Sequence, residues 1–443
     1  RALRPQFFPD YPVYSVSSLH RFPPAKYSKS MVPLLVLTLC LLVFMGCTKD
    51  SNRMVPSQQP PQADTPAPQP EPVQEAQIYR EQAAHLAASL DDPLLAAQVL
   101  MSGIDGKTPA LSEAMKTLLE NSPPGGIMLF KYNLNTEKET IRAFLDACSG
   151  YSAPAFSEQG ESLRILPFIA VDHEGGAVHR FGPEVTRLPE PAWFWETAQK
   201  YGRNYALQEL EAVARRSGEE IRAIGITMNL APVAEVLDEE NRLFLEARSY
   251  GPDPDFTEAA VQAFIRGMEA AGVACVVKHF PGNTGMDPHK GRAILTANTE
   301  ALNRMVQPFA GVIRDMQPPA IMVSHIVVPA WDKERNASLS PKIINEWLRG
   351  KLGFTGMVIG DDFSMSAVAD SGLTLEAAVV EALNAGVDMV MTWPRNLRGV
   401  HQAILKAVQE GRLPRERLQE AVEHILFEKL RYGLIQGENK DGL

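Results

Sequence analysis

The sequence predicts an α/β protein with a single (β/α)8 barrel of the TIM type, preceded by a signal-like segment and a linker. Three observations carry this. Eight short apolar runs alternate with longer stretches of helical period between residues 78 and 437. Most of those runs finish on an ionisable or hydrogen-bonding residue. The first 77 residues read differently, as an apolar segment followed by a Pro/Gln-rich stretch. Barrels of roughly 250 residues or more commonly form one domain, and with 45% hydrophobic residues this chain can fill one large core.

The apolar segment "VPLLVLTLCLLVFMGC" (32–47) follows Lys26 and Lys29. It falls short of the roughly 20 residues a membrane-crossing helix needs and matches the apolar region of an export signal. Its "FMGC" resembles a bacterial lipobox, with Phe44 where Leu is usual, and marks Cys47 as the expected lipidation site. Met31 reads as an alternative start, with residues 1–30 as an upstream extension. The next stretch, "SNRMVPSQQPPQADTPAPQPEPVQEAQ" (51–77), is too poor in large apolar residues to build a core and reads as an extended tether. The expectation is an exported domain, held to a membrane by a lipid anchor and facing the periplasm or exterior. Residues 1–47 would be extension and signal, 48–77 linker, and 78–437 the barrel.

The apolar runs are "AQVLMSG" (97–103), "GGIMLF" (125–130), "PFIAVD" (167–172), "ITMNLAP" (226–232), "VACVVKH" (273–279), "AIMVSH" (320–325), "GMVIGDD" (356–362) and "DMVMTW" (388–393). None alternates polar with apolar, as expected for parallel strands covered on both faces. Between them lie stretches of helical period such as 204–225 and 255–272, each ending on the glycine that favours a helix C-terminus. Six of the eight runs end in Asp172, Asn229, Lys278 and His279, His325, Asp361 and Asp362, or Trp393. Strand carboxyl ends are where barrel enzymes carry their sites. One such residue alone reads as a hydrogen-bonded strand cap; six together point to an enzyme.

Several chemistries are disfavoured. A net charge of −10 argues against nucleic acid as a partner. No phosphate-binding glycine loop, Walker pattern or Rossmann fingerprint follows a strand, and no cofactor is expected. Asp172, His173, Glu174, His279, His289 and His325 are residue types that bind metals. They lack a His-x-His or His-Glu-x-x-His spacing, and Lys278 sets a competing cation beside His279, so no metal is expected. The four cysteines, Cys40, Cys47, Cys148 and Cys275, form no disulfide framework. What remains is a carboxylate at one strand end and the loop "VVKHFPGNTGMDPHKG" (276–291). A fixed carboxylate such as Asp361 can attack a sugar's anomeric carbon and hold a covalent glycosyl intermediate. A histidine can supply and retrieve the proton when a carboxylate holds its tautomer, and Asp287 with His289 can form such a pair.

The stretches "PFIAVDHEGGAVHRF", "MNLAPVAEV", "EARSYG", "VVKHFPG", "MVSHIVVPAWD", "ASLSPKIINEWLRGKLGFTGMVIGDDFSMSAV" and "ALNAGVDMVM" occur in this order. Together they resemble the single-domain β-N-acetylhexosaminidases of glycoside hydrolase family 3. The larger two-domain members take an acid/base glutamate from a second domain, for which this chain is expected to have no room. The single-domain members use an Asp-x-His loop after the fifth strand, here "DPH". The resemblance implies Asp361 as nucleophile, His289 as proton donor and acceptor, and Asp287 as its polarising partner. Asp362 would be structural. Asp172, Arg180, Arg248, Lys278 and His279 would bind sugar hydroxyls. The implied activity is that of a retaining, exo-acting β-N-acetylglucosaminidase on peptidoglycan fragments or chitooligosaccharides.

The sequence departs from the family pattern in places. "KHFPGNTG" stands where "KHFPGHG" is usual, so Asn283 replaces a histidine, and the Asp-x-His pair follows about two residues early. Pro288 stiffens the backbone between the pair, and His173 replaces a frequent Gln. Two alternatives stay open. A neutral histidine base would not repel phosphate as a glutamate would, which allows a phosphorylase. The altered loop allows a sugar-binding lipoprotein without catalysis.

Overall fold

Runs of Val, Ile, Leu and Met without alternation leave no face for water, and all eight become strands of one closed parallel barrel. The computed structural model describes residues 72–437 apart from 107, 159–160, 184, 287–289, 292, 366–367 and 369–370. The strands are β1 (Leu100–Gly103), β2 (Gly126–Leu129), β3 (Phe168–Val171), β4 (Met228–Asn229), β5 (Ala274–Phe280), β6 (Ala320–Val323), β7 (Met357–Asp362) and β8 (Met389–Thr392). Each pairs with the next in chain order, and β1 closes on β8. All eight fall on the expected runs, with β5 extending one residue further, to Phe280. β4 is the shortest. Regular pairing stops at Asn229, but Leu230 still donates to Val171 O at 2.9 Å, and Pro232 O accepts from Lys278 N at 3.0 Å. Pro232 has no N–H of its own to continue the ladder.

The helices expected at 204–225 and 255–272 are Arg203–Ala223 and Pro254–Ala270. Gly225 and Gly272 follow them at φ of +106° and +74°, the left-handed turn that releases the chain toward the next strand. The second helix is capped by Asp253, whose carboxylate accepts from the N–H groups of Asp255 and Phe256, with Pro254 in the first turn.

Some elements carried no sequence signal. A three-stranded antiparallel sheet joins Ala155–Glu158, Glu161–Ile165 and Ile435–Gly437. A short antiparallel pair joins Val327–Val328 and Asp332–Asn336. The first helix, Pro72–Ser89, starts within the stretch read as linker, ahead of the expected boundary at 78. It buries Ala83, Leu86 and Ala87, and Arg80 lies 4.6 Å over the Phe427 ring on the last helix, Arg415–Arg431. The expected signal segment and Cys47 lie outside the described residues. Among the described residues no helix is long and apolar enough to cross a membrane. Cys148 and Cys275 are buried and unpaired, and burial pushes the Cys148 thiol up to about 12.

The end of the barrel opposite the strand carboxyl termini is closed around Asp388, which immediately precedes β8. This fully buried carboxylate takes Arg349 at 2.6 Å, Arg417 at 2.8 Å, His424 at 3.1 Å and the backbone N–H of Val358 at 2.8 Å. Burial alone would raise the Asp388 carboxyl. His424, Arg349 and Arg417 outweigh it and hold the group well below the usual carboxylate range. These partners come from the last helix, from the segment before β7 and from β7 itself, so one anion ties the closing turn of the barrel together. Removing one member of a buried ion cluster strands the others, at about 3–5 kcal/mol. Asp388→Ala should lower the free energy of unfolding by that amount, read as a lower urea midpoint at an unchanged m-value; an unmoved midpoint would contradict the reading.

Candidate active site

The strand carboxyl ends bring five charged side chains into one row. Asp172 follows β3 directly, and three residues later the chain turns back at Gly175 and Gly176, which take φ of +109° and +54°. A Cβ on Gly175 would come 2.2 Å from the Pro189 carbonyl oxygen, so the turn admits no side chain there. It folds Glu174 inward, where 2% of its side chain is exposed. Lys278, on β5, places its Nζ 2.7 Å from Asp172 Oδ1 and 2.6 Å from Glu174 Oε1. Arg248, from the loop after β4, forks onto Glu174 with its Nε 2.8 Å from Oε2 and its terminal nitrogen 2.9 Å from Oε1. Arg180 reaches Asp172 Oδ2 at 3.2 Å.

The row therefore reads Arg180, Asp172, Lys278, Glu174, Arg248: three cations and two anions in alternation. Its middle is closed and its ends are open, with 3% of Lys278 exposed against 29% of Arg180 and 26% of Arg248. Burial would raise both carboxyls. For Asp172, Lys278 and then Arg180 outweigh it; for Glu174, Lys278 and then Arg248 do so, and both groups sit below their ordinary range. Burial would lower the Lys278 ammonium, but Asp172 and Glu174 outweigh it and raise it. All three stay charged near neutrality. They can hold hydroxyls through charge-assisted bonds, but they are poor carriers of a proton.

A second pair stands beside the row. His279, next along β5, has its Nδ1 2.6 Å from Glu235 Oε1, and Asn283 donates from Nδ2 to the same oxygen at 3.0 Å. Glu235 is buried, and its backbone carbonyl accepts from Ser249 Oγ at 2.7 Å, next to Arg248. A carboxylate on Nδ1 leaves Nε2 as the ring atom facing elsewhere. Asn283 thus shares in holding Glu235.

At the end of β7, Asp361 and Asp362 differ in what they hold. Asp362 Oδ1 accepts from Ser364 N at 2.9 Å and from Ser364 Oγ at 2.7 Å, while Oδ2 accepts from Trp393 Nε1 at 2.9 Å. The Asp362 carbonyl lies 3.1 Å from His325 Nε2. A carbonyl only accepts, so Nε2 carries the proton and Nδ1 accepts from Ser338 Oγ at 2.7 Å. Burial pushes the His325 imidazolium down against the pull of Asp361, which keeps the ring neutral. Asp362 is thus tied into structure, as expected, and the half-buried Asp361 accepts the N–H of Asp362 at 2.8 Å.

Of the residues expected in the site, the structure brings together Asp172, Arg180, Arg248 and Lys278, sets His279 beside them, and puts Asp361 at the same mouth. Asp287 and His289 lie outside the described residues. His173 is buried, with Nε2 2.8 Å from Ser217 Oγ, and burial, His179 and Arg180 push its imidazolium down to about 3. Among the described residues no cluster of three His, Cys, Asp or Glu could hold a metal ion. The sequence assigns no binding role to two carboxylates at the centre. Glu174 reads there only as a metal-binding residue type, and Glu235 carries no role within "MNLAPVAEV"; the signal for both is a carboxylate inside a motif that follows a strand.

A closed parallel barrel with charged groups gathered at its strand carboxyl ends is the architecture of a barrel enzyme. The family described as "Glycosyl hydrolase family 3 N terminal domain" matches residues 92–427, and the chain belongs to that family. It is 30% identical over 298 residues to "Beta-hexosaminidase A" of Pseudoalteromonas piscicida, covering 64% of this chain and 47% of that protein. It is 33% identical over 289 residues to a "Beta-hexosaminidase" of Methylococcus capsulatus, covering 64% and 79% respectively. The chain thus spans about half of the first relative. Among solved structures it resembles a glycoside hydrolase family 3 beta-N-acetylglucosaminidase from Paenibacillus sp. str. FPU-7, at a TM-score of 0.69 and 27% identity. That match covers 80% of this chain and 64% of the other.

The row makes a pH-dependent contribution with a definite sign. The ordinary values of Asp172 and Glu174 are 3.8 and 4.5, and both are lower in the folded chain. Their contribution is complete above those values and is lost as pH falls through the folded ones. Lys278 is raised above 10.5, so its share holds up to that pH and is lost only as pH climbs through its folded value. Glu174→Gln should cost about 3 kcal/mol at pH 7 and make the fall in stability below about pH 4 shallower. Urea titrations across pH test this, and parallel curves for the two chains would refute it.

Proposed function

We propose that this chain is a retaining, exo-acting β-N-acetylglucosaminidase. It would remove terminal β-linked N-acetylhexosamine from peptidoglycan fragments or chitooligosaccharides. The supporting observation is the division of labour at the mouth: a permanently charged row with open ends, and Asp361 beside an Asp362 that is already committed. The hexosamine preference is taken from the named relatives.

In this reading the open ends of the row grip the terminal sugar. Arg180 and Arg248 donate to its hydroxyls and Asp172 accepts from them. The Asp361 carboxylate attacks the anomeric carbon and forms a glycosyl ester as the bond to the leaving oxygen breaks. The His289 imidazolium, polarised by Asp287, gives that oxygen its proton. The neutral imidazole then takes a proton from water as the water attacks the same carbon, freeing Asp361. Two inversions leave the configuration retained. We read the segment 32–47 as an export signal and Cys47 as a lipid anchor that holds the barrel outside the cytoplasm.

Aryl alcohol release from an aryl β-N-acetylglucosaminide tests the assignment. Asp361→Ala should lower kcat by about 10⁴-fold or more, and His289→Ala by about 10²-fold, with wild-type turnover indifferent to phosphate. Sugar 1-phosphate as the main product would replace hydrolysis by phosphorolysis. Binding without turnover in the unmodified chain would refute catalysis.

A further inference from the structure

The charged row occupies the β3, β4 and β5 side of the mouth. The arc over β8, β1 and β2, which adjoins β3 at β2, is built from aromatic rings. Phe130 is the first residue after β2 and Trp393 the first after β8. β1 lies between those strands, paired with both. It ends at Gly103, where an added Cβ would sit 3.5 Å from the Trp393 ring and 3.6 Å from the Phe130 ring. The two rings therefore meet across the end of β1, with centroids 5.0 Å apart and planes 14° from parallel. Tyr132 stacks on Phe130 in turn, at 5.7 Å and 13°. The result is a column of three near-parallel rings.

The column is fixed at both ends. Trp393 donates its indole N–H to Asp362 at 2.9 Å, next in the chain to Asp361. Tyr132 directs its hydroxyl to Ile104 O at 3.4 Å, and the Phe130 backbone N–H is held by the buried Asn133 Oδ1 at 3.0 Å. It is not core filling: Phe130 and Trp393 are half-buried, and Tyr132 is 39% exposed. β7 pairs with β8, so Asp361 adjoins the foot of the column; only β6 separates β7 from β5, which carries Lys278. The carboxylate thus stands between a side suited to hydroxyls and a side suited to the flat C–H face of a ring.

Resting on the assignment of Asp361 as nucleophile, we propose that the column Trp393–Phe130–Tyr132 is the subsite for the leaving group, and that its occupant is a β-linked pyranose ring of an oligosaccharide. A pyranose presents an apolar face of axial C–H bonds, and a rigid aromatic surface can cover that face with little ordering cost. The charged row cannot do this, because each of its groups seeks a polar partner. The substrate class is therefore a chain of at least two sugars, its terminal unit in the row and the next on the rings.

The test compares kcat/KM for a β-1,4-linked N-acetylglucosamine trisaccharide with that for methyl β-N-acetylglucosaminide, whose leaving group has no ring. Tyr132→Ala should lower the trisaccharide-to-methyl ratio about tenfold, Phe130→Leu should lower it in the same direction, and Tyr132→Phe should restore it. A ratio unchanged in Tyr132→Ala and Phe130→Leu would overturn the subsite. A drop for an aryl glycoside as large as for the trisaccharide would overturn the sugar as its occupant. If the unmodified chain turns over neither substrate, the proposed activity fails separately. Calorimetric titration with the trisaccharide then decides the column: weaker binding in Tyr132→Ala supports it, and equal or absent binding overturns it.

Discussion

The mouth of this barrel is organised by one carboxylate shared between two cations. Glu174 accepts Lys278 from β5 and Arg248 from the loop after β4, while its own loop leaves β3. Three consecutive units of the barrel are therefore positioned against a single buried anion. Such an anion is tolerated only because both its oxygens are engaged, and the glycine turn at Gly175 exists to bring it there. Asp172 and Arg180 extend the arrangement outward to solvent. Without Glu174, three cations would face one carboxylate, and Arg248 would lose the partner that fixes it in the row.

Glu235 repeats this economy one step along β5. It holds His279 and Asn283 with its side chain and Ser249 with its backbone, so the histidine, the following loop and the Arg248 segment share one support. On the far side of the mouth, Asp362 does the same for Ser364 and Trp393. In each case one carboxylate, buried for Glu235 and half-buried for Asp362, sets the position of its neighbours. The site is therefore a set of oriented groups, of which Asp172, Glu174 and Lys278 stay charged near neutrality.

The barrel was legible because a parallel strand buried on both faces has a distinctive composition, and because each of the eight runs was long enough to show it. β4 was expected over seven residues and pairs regularly over two, since Pro232 interrupts donation in a way that apolar composition does not register. The antiparallel strand Glu161–Ile165 escaped notice because its residues carry neither an apolar run nor a clean alternation. In the site, Asp172, Arg180, Arg248, Lys278 and His279 were legible as polar groups in motifs near strand ends. Glu174 and Glu235 were not, because what distinguishes them is a partner 74 or 44 positions away. Asn283 reads as a loss when set against a histidine. In three dimensions it is a donor to a carboxylate that also holds His279.

Asp388 closes the far end of the barrel by the same device, one anion among two arginines and a histidine. The molecule thus keeps its structural lock and its working groups at opposite poles. The Asp388 cluster draws on none of the residues of the charged row. Such a division lets groups at the mouth change locally while the contacts that close the far end of the barrel stay in place.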